Sequence, residues 1–141
     1  YNIFTSENAD VAIGSRYTEG GVSNDSLISQ IISRFLNKVY GIVLGIPAKD
    51  LTTDFRLYHT CRLKEVKPEL TNKHFDIVVE VLLKLKIKKS SRGKRIKVVE
   101  TPITFDERMF GDSKRLLFAF FIAYTTSIIR LSVLYLKSAF K

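Results

Sequence analysis

The sequence has 141 residues, enough for one domain with a buried core, and its 45% hydrophobic and 26% charged residues exclude both a disordered chain and a uniformly apolar one. Its net charge of +9, from 23 Lys and Arg against 14 Asp and Glu, indicates a phosphate-bearing partner: nucleic acid, an anionic membrane or a phosphorylated substrate. The single cysteine, Cys61, excludes an internal disulfide and favours a reducing, cytoplasm-facing setting. Because Tyr1–Thr5 contains no initiator methionine and no signal peptide, we expect a fragment of a longer protein.

The first predicted elements are a strand and a long helix. Ala9–Gly14 predicts a short buried strand, and residues 18–25, which include two adjacent glycines, predict a loop. A helix is predicted to begin at residues 24–26, where Asn, Asp and Ser can all cap it, and to end at Gly45. Its apolar residues recur at helical spacing, which predicts a wide apolar face for the core or for lipid.

Shorter elements follow and alternate between strand and helix. Phe55–His59 predicts a strand, and Leu63–Val66 predicts a brief helix. From Lys73 apolar residues recur at helical spacing until the basic turn at residues 90–93, and Ile96–Glu100 predicts a further strand. Interleaved strands and helices predict an α/β fold.

Positive charge is concentrated in one segment of the sequence. Eight basic residues lie between Lys84 and Lys97, and no acidic residue occurs from Val81 to Val99. Such a run is either a solvated basic surface or a face that binds phosphate, and the sequence favours neither. Aromatic residues, on which single-stranded nucleic acids stack, do not interleave with these basic residues, so we predict no nucleic-acid partner.

The last stretch of the sequence is apolar and predicts contact with a membrane. From Leu116 to Leu136 the only charged residue is Arg130, and the length approaches the roughly 20 residues that span a bilayer. An arginine near the centre of a spanning helix costs roughly 2.5–3.5 kcal/mol on insertion scales. We therefore predict an interfacial or shallowly inserted helix, with a full span as the rival interpretation, and a division into residues 1–114 and 115–141.

Familiar catalytic and binding patterns are absent from the sequence. It contains no P-loop, no dinucleotide-binding glycine motif and no D-x-D carboxylate pair. His59 and His74 stand apart without metal-ligand spacing, so the sequence predicts no metal site of its own.

Three short blocks carry candidate functional residues. Arg16, in G-S-R-Y, follows a predicted strand, where its guanidinium can bind phosphate or form a structural salt bridge. Asp50 precedes another strand, where its carboxylate can act as a general base or only close a turn with Thr52. Arg108 and Lys114 lie on a glycine-containing loop before the apolar tail, so they can hold a phosphate whose hydrocarbon lies along that tail.

Taken in order, the patterns G-S-R-Y, S-R-x-x-N, D-x-T-x-x-F-R-x-Y and E-x-P-I-x-F-x-x-R-x-x-G-x-S-K resemble the polyprenyl-phosphate glycosyltransferases, the dolichyl-phosphate mannosyltransferase branch of glycosyltransferase family 2. The resemblance runs from about Asp10 to Lys114, and its last pattern is the most diagnostic. It implies the acceptor half of a Rossmann-like nucleotide-sugar transferase fold, followed by a membrane-associated helix.

The resemblance also implies an activity and its partners. A hexose, with mannose favoured over glucose, would pass from a nucleotide sugar such as GDP-mannose or UDP-glucose to a polyprenyl or dolichyl phosphate at the cytoplasmic face of a membrane. Asp50 would be the base or an active-site carboxylate, and Glu80 matches a recurrent helix glutamate with no assigned role. The residues implied to bind the acceptor phosphate are Arg16, Ser33, Arg34, Arg108 and Lys114.

The sequence departs from the family pattern at several places. Relatives usually carry an arginine one helical turn before Ser33, where this sequence has Ser29 and Gln30, so Arg34 is the candidate substitute. Asp54 stands where a glycine is usual. The metal-binding D-x-D of relatives lies upstream of G-S-R-Y, so we expect the Mg or Mn ion and the donor to bind a missing N-terminal half, and this chain alone to be inactive. The alternative is a non-catalytic, basic, membrane-peripheral module that binds anionic lipids.

Overall fold

The computed structural model describes residues 5, 8–71, 77–90, 92–106 and 117–139, and in the last range the side chains of residues 124–138. In chain order its elements are β1 (Val11–Ser15), β2 (Val22–Ser23), α1 (Leu27–Leu44), β3 (Arg56–Tyr58), α2 (Thr60–Val66), a 3-10 turn (Lys67–Glu69), α3 (Ile77–Ser90), β4 (Val98–Pro102), β5 (Thr104–Phe105) and α4 (Leu117–Ala139). Strands and helices are interleaved along the chain, which is compatible with the predicted α/β class.

The strands form a three-stranded sheet and a separate pair. The larger sheet has the order β3-β1-β4, and β1 runs antiparallel to β3 and parallel to β4. Val11 pairs with both Tyr58 and Val98, so the two flanking strands meet β1 at the same level. Strands β2 and β5 pair in parallel beyond the end of this sheet. The fold is therefore mixed helix and strand, compatible with part of an α/β transferase domain.

The end of β1 requires a close turn of the backbone. A Cβ atom added at Gly21 would lie 2.5 Å from the carbonyl oxygen of Ser15, so a side chain there would collide with β1. The glycine lets the chain fold back closely enough for β2 to pair with β5. Arg16, which directly follows β1, is thereby held beside this turn.

Helix α1 has the caps that the sequence predicts. The Ser26 hydroxyl accepts a hydrogen bond from the Ser29 amide at 3.4 Å, and Gly45 ends the helix in the left-handed conformation with φ of 57°. One face of the helix is buried in the core through Leu36 and Tyr40. Serine and glycine therefore set the two ends, and the apolar periodicity sets the buried face.

The opposite face of α1 is also apolar, but it is exposed. We call this surface the apolar stripe; it consists of Leu27, Ile28, Ile31, Phe35 and Ile42. Ile31 and Ile42 keep 67% and 72% of their surface exposed, although both are large hydrophobic residues. Among the described residues, α1 is the one helix whose length and composition would allow it to cross a membrane.

Helix α4 packs one face into the protein. Tyr124 stacks edge-to-face on Tyr40 of α1 with ring centroids 6.2 Å apart, and Leu131 is buried in the common core. Arg130 lies 3.7 Å from the buried Glu80 carboxylate of α3. Part of the predicted membrane segment is thus packed against α1 and α3, while Ile129 and its neighbours on the other face are exposed.

Candidate functional site

Three of the predicted site residues meet at the end of β1. Arg16 directly follows that strand, Ser33 lies on α1, and Asp50 lies in the loop between α1 and β3. The Arg16 guanidinium donates two hydrogen bonds to the Asp50 carboxylate, at 2.8 Å from Nε and 2.9 Å from Nη2. The backbone amide of Arg16 donates a third hydrogen bond to the same carboxylate at 3.1 Å. The pair therefore has the forked geometry of a strong arginine–carboxylate interaction.

Further polar side chains complete the arrangement around this pair. Arg16 Nη2 also donates to the hydroxyls of Ser33 at 3.2 Å and Thr52 at 3.1 Å. The side-chain amide of Asn37 donates a hydrogen bond from Nδ2 to the Asp50 carboxylate at 3.3 Å. Its Oδ1 accepts a hydrogen bond from the backbone amide of Leu51 at 2.7 Å. We call these five residues, Arg16, Ser33, Asn37, Asp50 and Thr52, the Arg16–Asp50 cluster.

Charge pairing outweighs burial in this cluster. Burial alone would raise the pKa of the Asp50 carboxyl, but the hydrogen bonds and positive charge of Arg16 hold that pKa below its ordinary value. Burial lowers the pKa of the Arg16 guanidinium, but Asp50, together with the charges of Tyr17 and Asp25, raises that pKa above its ordinary value. Both groups are therefore charged at neutral pH, and Asp50 is a weaker base than a free aspartate.

A glutamate on β4 fixes the loop that carries Asp50. The Glu100 carboxylate accepts hydrogen bonds from the backbone amides of Lys49 at 2.9 Å and Asp50 at 3.0 Å. Glu100 pairs with Ile13 in the sheet register, so β4 delivers it to the same sheet end as Arg16. The sequence analysis missed this role, although a carboxylate within an otherwise apolar strand was a signal for it.

Arg56, in the F-R-x-Y pattern, also binds the loop that carries Asp50. Its guanidinium donates to the carbonyls of Leu51 and Val78 at 2.6 Å each and to that of Thr53 at 2.8 Å. A guanidinium committed to three carbonyl groups is not available to a substrate. Arg56 therefore holds the loop after Asp50 against α3.

Arg34 lies next to the Arg16–Asp50 cluster in an open groove. Its guanidinium carbon lies 5.0 Å from the centre of the Tyr17 ring, and that of Arg16 lies 5.1 Å from the same ring. The groove has a volume of about 370 Å³ and is also lined by Lys38 and Lys49. We call it the α1 groove. The structure thus brings Arg34 beside the other predicted residues without joining it to Asp50.

Part of the basic run from Lys84 to Lys97 is engaged by acidic residues from elsewhere in the chain. Lys88 lies 2.7 Å from Glu69, and Lys89 lies 2.8 Å from Asp10. Within the same run, Arg92 pairs with Glu65 at 3.2 Å, and Lys86 donates to the Leu44 carbonyl at the end of α1. These contacts favour a structural role for this part of the run.

The remaining predicted residues separate into two groups. Arg108 and Lys114 lie outside the described residues. Glu80 is buried on α3, where its carboxylate accepts hydrogen bonds from the amide and hydroxyl of Thr71. The described residues contain no group of three or more His, Cys, Asp or Glu side chains that could hold a metal ion.

Comparison with known proteins identifies relatives of the chain. No family model matches it. It is 32% identical over 108 residues to the undecaprenyl-phosphate mannosyltransferase of Micrococcus luteus. The matched residues cover 75% of this chain and 42% of the relative. The polyprenol monophosphomannose synthase of Mycolicibacterium smegmatis is also 32% identical over 108 residues, covering 75% of this chain and 38% of that protein.

A third relative comes from an archaeon. The dolichol-phosphate mannosyltransferase of Pyrococcus furiosus is 36% identical over 108 residues, which cover 75% of this chain and 28% of that protein. The chain therefore spans less than half the length of the curated relatives it matches. The patterns that predicted the family and the names of these relatives agree: over 75% of its length the chain is similar to polyprenyl-phosphate mannosyltransferases.

Proposed function

We propose that the protein containing this chain transfers mannose from a nucleotide sugar, GDP-mannose before UDP-linked sugars, to a polyprenyl or dolichyl phosphate. The observation that carries the proposal is that three relatives from bacteria and an archaeon are all named for polyprenyl- or dolichol-linked mannose synthesis. In this proposal the chain supplies the acceptor side of the enzyme, and the donor and metal bind an upstream half.

The contacts of Asp50 favour an electrostatic role over proton transfer. A phosphate monoester has a second pKa of about 6, so the acceptor is mostly ionised at neutral pH and needs little help from a base. An ionised phosphate oxygen attacks the anomeric carbon of the sugar, the bond from that carbon to the nucleotide breaks, and the nucleoside diphosphate leaves. Asp50, held by Arg16 with a lowered pKa, suits the task of orienting that arginine at the acceptor site.

The surface of α1 supports a location at a membrane, and we propose that the acceptor is reached from the cytoplasmic face. The apolar stripe is exposed along the helix that also carries Ser33 and Arg34. A helix with one face in the core and an exposed apolar face opposite is suited to lie in the membrane interface. The phosphate of an embedded lipid would then lie at the depth of the Arg16–Asp50 cluster.

A transfer assay tests the proposal. The longer protein with its upstream half is incubated with Mg or Mn, a radiolabelled nucleotide sugar and a polyprenyl phosphate, and label is measured in the organic extract. We expect mannose from GDP-mannose to enter the lipid fraction more than glucose from UDP-glucose. No lipid-linked product with any combination of nucleotide sugar and polyprenyl phosphate would overturn the proposal.

The same surfaces support a second candidate, a non-catalytic module that binds anionic lipids. Its specific support is the combination of the apolar stripe with a net charge of +9. Such a module would bind anionic vesicles as tightly as an enzyme but would give no lipid-linked sugar in the transfer assay. Turnover by the longer protein therefore separates the two candidates.

A further inference from the structure

Glu80 is the predicted residue to which the proposed function gives no task. It lies in the first turn of α3 with 1% of its surface exposed, so its carboxylate is removed from water. Both carboxylate oxygens accept hydrogen bonds from the backbone amide of Thr71, at 3.1 and 3.2 Å, and Oε1 also accepts one from the Thr71 hydroxyl at 2.9 Å. A buried carboxylate is costly unless it is paired, so the partners of Glu80 indicate what it holds together.

A charged partner of Glu80 comes from α4. Arg130 Nη2 lies 3.7 Å from Oε2 of Glu80, and Arg130 is the only charged residue from Leu116 to Leu136. On the face of α4 that enters the core, Tyr124 and Leu131 are buried. An apolar helix face can pack in several registers, whereas a charge pair with a buried partner specifies one of them. Arg130 therefore sets where α4 lies along α3.

The turn of α3 that carries Glu80 also meets the loop that carries Asp50. Arg56 donates a hydrogen bond to the carbonyl of Val78, two residues before Glu80. The same guanidinium holds two carbonyl groups of the loop after Asp50. One turn of α3 is thus bonded to α4 through Glu80 and to the Asp50 loop through Arg56, so a shift of this turn would move both contacts.

We propose that Glu80 is a positioning residue that seats α4 on α3 through Arg130 and thereby makes the loop that carries Asp50 depend on how α4 is seated. Glu80 and Arg130 act through α3 and Arg56, and they hold the loop in the place where the Arg16–Asp50 cluster forms. The inference deepens the proposed function and rests on it only for the reaction that this loop serves.

Amide hydrogen exchange of the 141-residue chain, measured by mass spectrometry of its peptides, tests the proposal without any substrate. One reporter is α4, and the other is residues 49–55, where the amides of Asp50 and Leu51 donate to the side chains of Glu100 and Asn37. Strand β1 is the internal reference, because an opening of the whole core would also raise exchange there.

The first variant is Arg130→Gln, which removes the cation on the α4 side. Its matched control is Lys137→Gln, which removes the same charge from an exposed position of the same helix. We expect Arg130→Gln to raise the exchange rates of α4 and of residues 49–55 about tenfold, because a buried carboxylate loses a charged partner. Exchange in β1 should stay unchanged, and Lys137→Gln should stay within about twofold everywhere.

Arg130→Lys separates charge pairing from the loss of a long side chain. It keeps the cation, so it should restore most of the protection that Arg130→Gln removes. No increase with Arg130→Gln, or an increase confined to α4, would overturn the link to the loop. An increase shared equally by β1 would show that the pair only stabilises the core, and this result would overturn the positioning role as well.

Glu80→Gln is the reciprocal variant on α3. It should raise exchange in the same two segments, and its combination with Arg130→Gln should exchange no faster than Glu80→Gln alone, because both changes remove one interaction. Glu69→Gln is the control, since Glu69 pairs with Lys88 of the same helix. Additive effects of the two changes would contradict the pair. If Glu80→Gln does not fold by circular dichroism, the Arg130 variants decide the question.

A kinetic measurement on the longer protein connects the seating of α4 with turnover. Arg130→Gln should lower kcat about tenfold and leave KM for the nucleotide sugar unchanged, because it displaces the loop without touching the donor. Localised exchange in the chain, with no sugar transfer by the unaltered longer protein, would reject the proposed function and keep the positioning role. An unchanged kcat in Arg130→Gln would reject the positioning role and keep the proposed function.

Discussion

Two neighbouring cationic regions of this molecule use positive charge in different ways. In the Arg16–Asp50 cluster the guanidinium is enclosed, bonded to a buried carboxylate and braced by Ser33 and Thr52. In the α1 groove, less than one helical turn away at Arg34, the cations line an open cavity and have no acidic partner among the described residues. The first region resembles an interior, whereas the second resembles a binding surface.

The difference teaches that a basic residue in a family pattern need not be the residue that meets the ligand. Arg16 lies in a recognisable pattern, but its hydrogen bonds are committed to protein groups. Lys38 and Lys49 lie in no pattern, but they face a cavity. Four variants of this chain test the contrast between committed and available groups, in order of the effect that we expect.

The largest effect should follow removal of the buried partner of Arg16. Asp50→Ala leaves a nearly buried guanidinium without its carboxylate, and breaking a buried ion pair in this way costs about 3–5 kcal/mol. Urea denaturation of the chain measures the change in unfolding free energy. Asp54→Ala is the control, because Asp54 is exposed, and should stay within about 0.5 kcal/mol. Similar small losses for both variants would show that Arg16 and Asp50 are not energetically committed to each other.

Arg56 tests whether a second patterned arginine is structural. Arg56→Met keeps an extended apolar side chain but leaves three carbonyl groups without their donor, which should cost about 3 kcal/mol. Exposed Arg95, changed in the same way, is the control and should cost little. If Arg56→Met unfolds in the same urea concentration as Arg95→Met, the carbonyl contacts contribute nothing to stability.

These structural roles were only partly predictable from the sequence. The ends of α1 were predictable because Ser26 and Gly45 act through their own backbone neighbourhood. The two-residue strands β2 and β5 were not predicted, because they exist only through pairing between segments far apart in the chain. The buried face of α4 was missed for a related reason: apolar sequence alone does not distinguish contact with lipid from contact with α1.

The candidate site shows the same limit. The sequence named Arg16, Ser33 and Asp50, and the fold brings them together, although their roles remain predictions. The sequence placed Glu100 in a family pattern but did not indicate its role, which depends on the parallel pairing of β1 and β4 that brings Glu100 to the Asp50 loop. The sequence also left the role of the basic run undecided, because the ion pair of Lys89 with Asp10 joins residues far apart in the chain.

The dependence of the unfolding free energy on acid pH tests the pairing of Asp50 with Arg16. Because Arg16 holds the pKa of Asp50 below its ordinary value, the unfolded chain binds the proton more tightly than the folded chain. The resulting stability is fully present above the ordinary aspartate pKa of about 4 and is lost as the pH falls through the lower folded value. Asp50→Asn should therefore flatten the decline of unfolding free energy below about pH 4. Parallel declines in the two proteins would contradict the pairing.

The smallest effect on stability should come from the apolar stripe, where the effect on membrane binding should instead be clear. Ile31 is 67% exposed, so Ile31→Ser removes little packing and should change the unfolding free energy by about 0.5 kcal/mol or less. Leu36 lies on the buried face of the same helix, with 2% exposure, and Leu36→Ser should cost several-fold more. Flotation with anionic vesicles should show about tenfold weaker binding for Ile31→Ser, since burying an isoleucine side chain in lipid contributes about 1.5 kcal/mol or more. If Ile31→Ser destabilises the chain as much as Leu36→Ser does, then the stripe is covered by protein, and the membrane location of α1 loses its structural support.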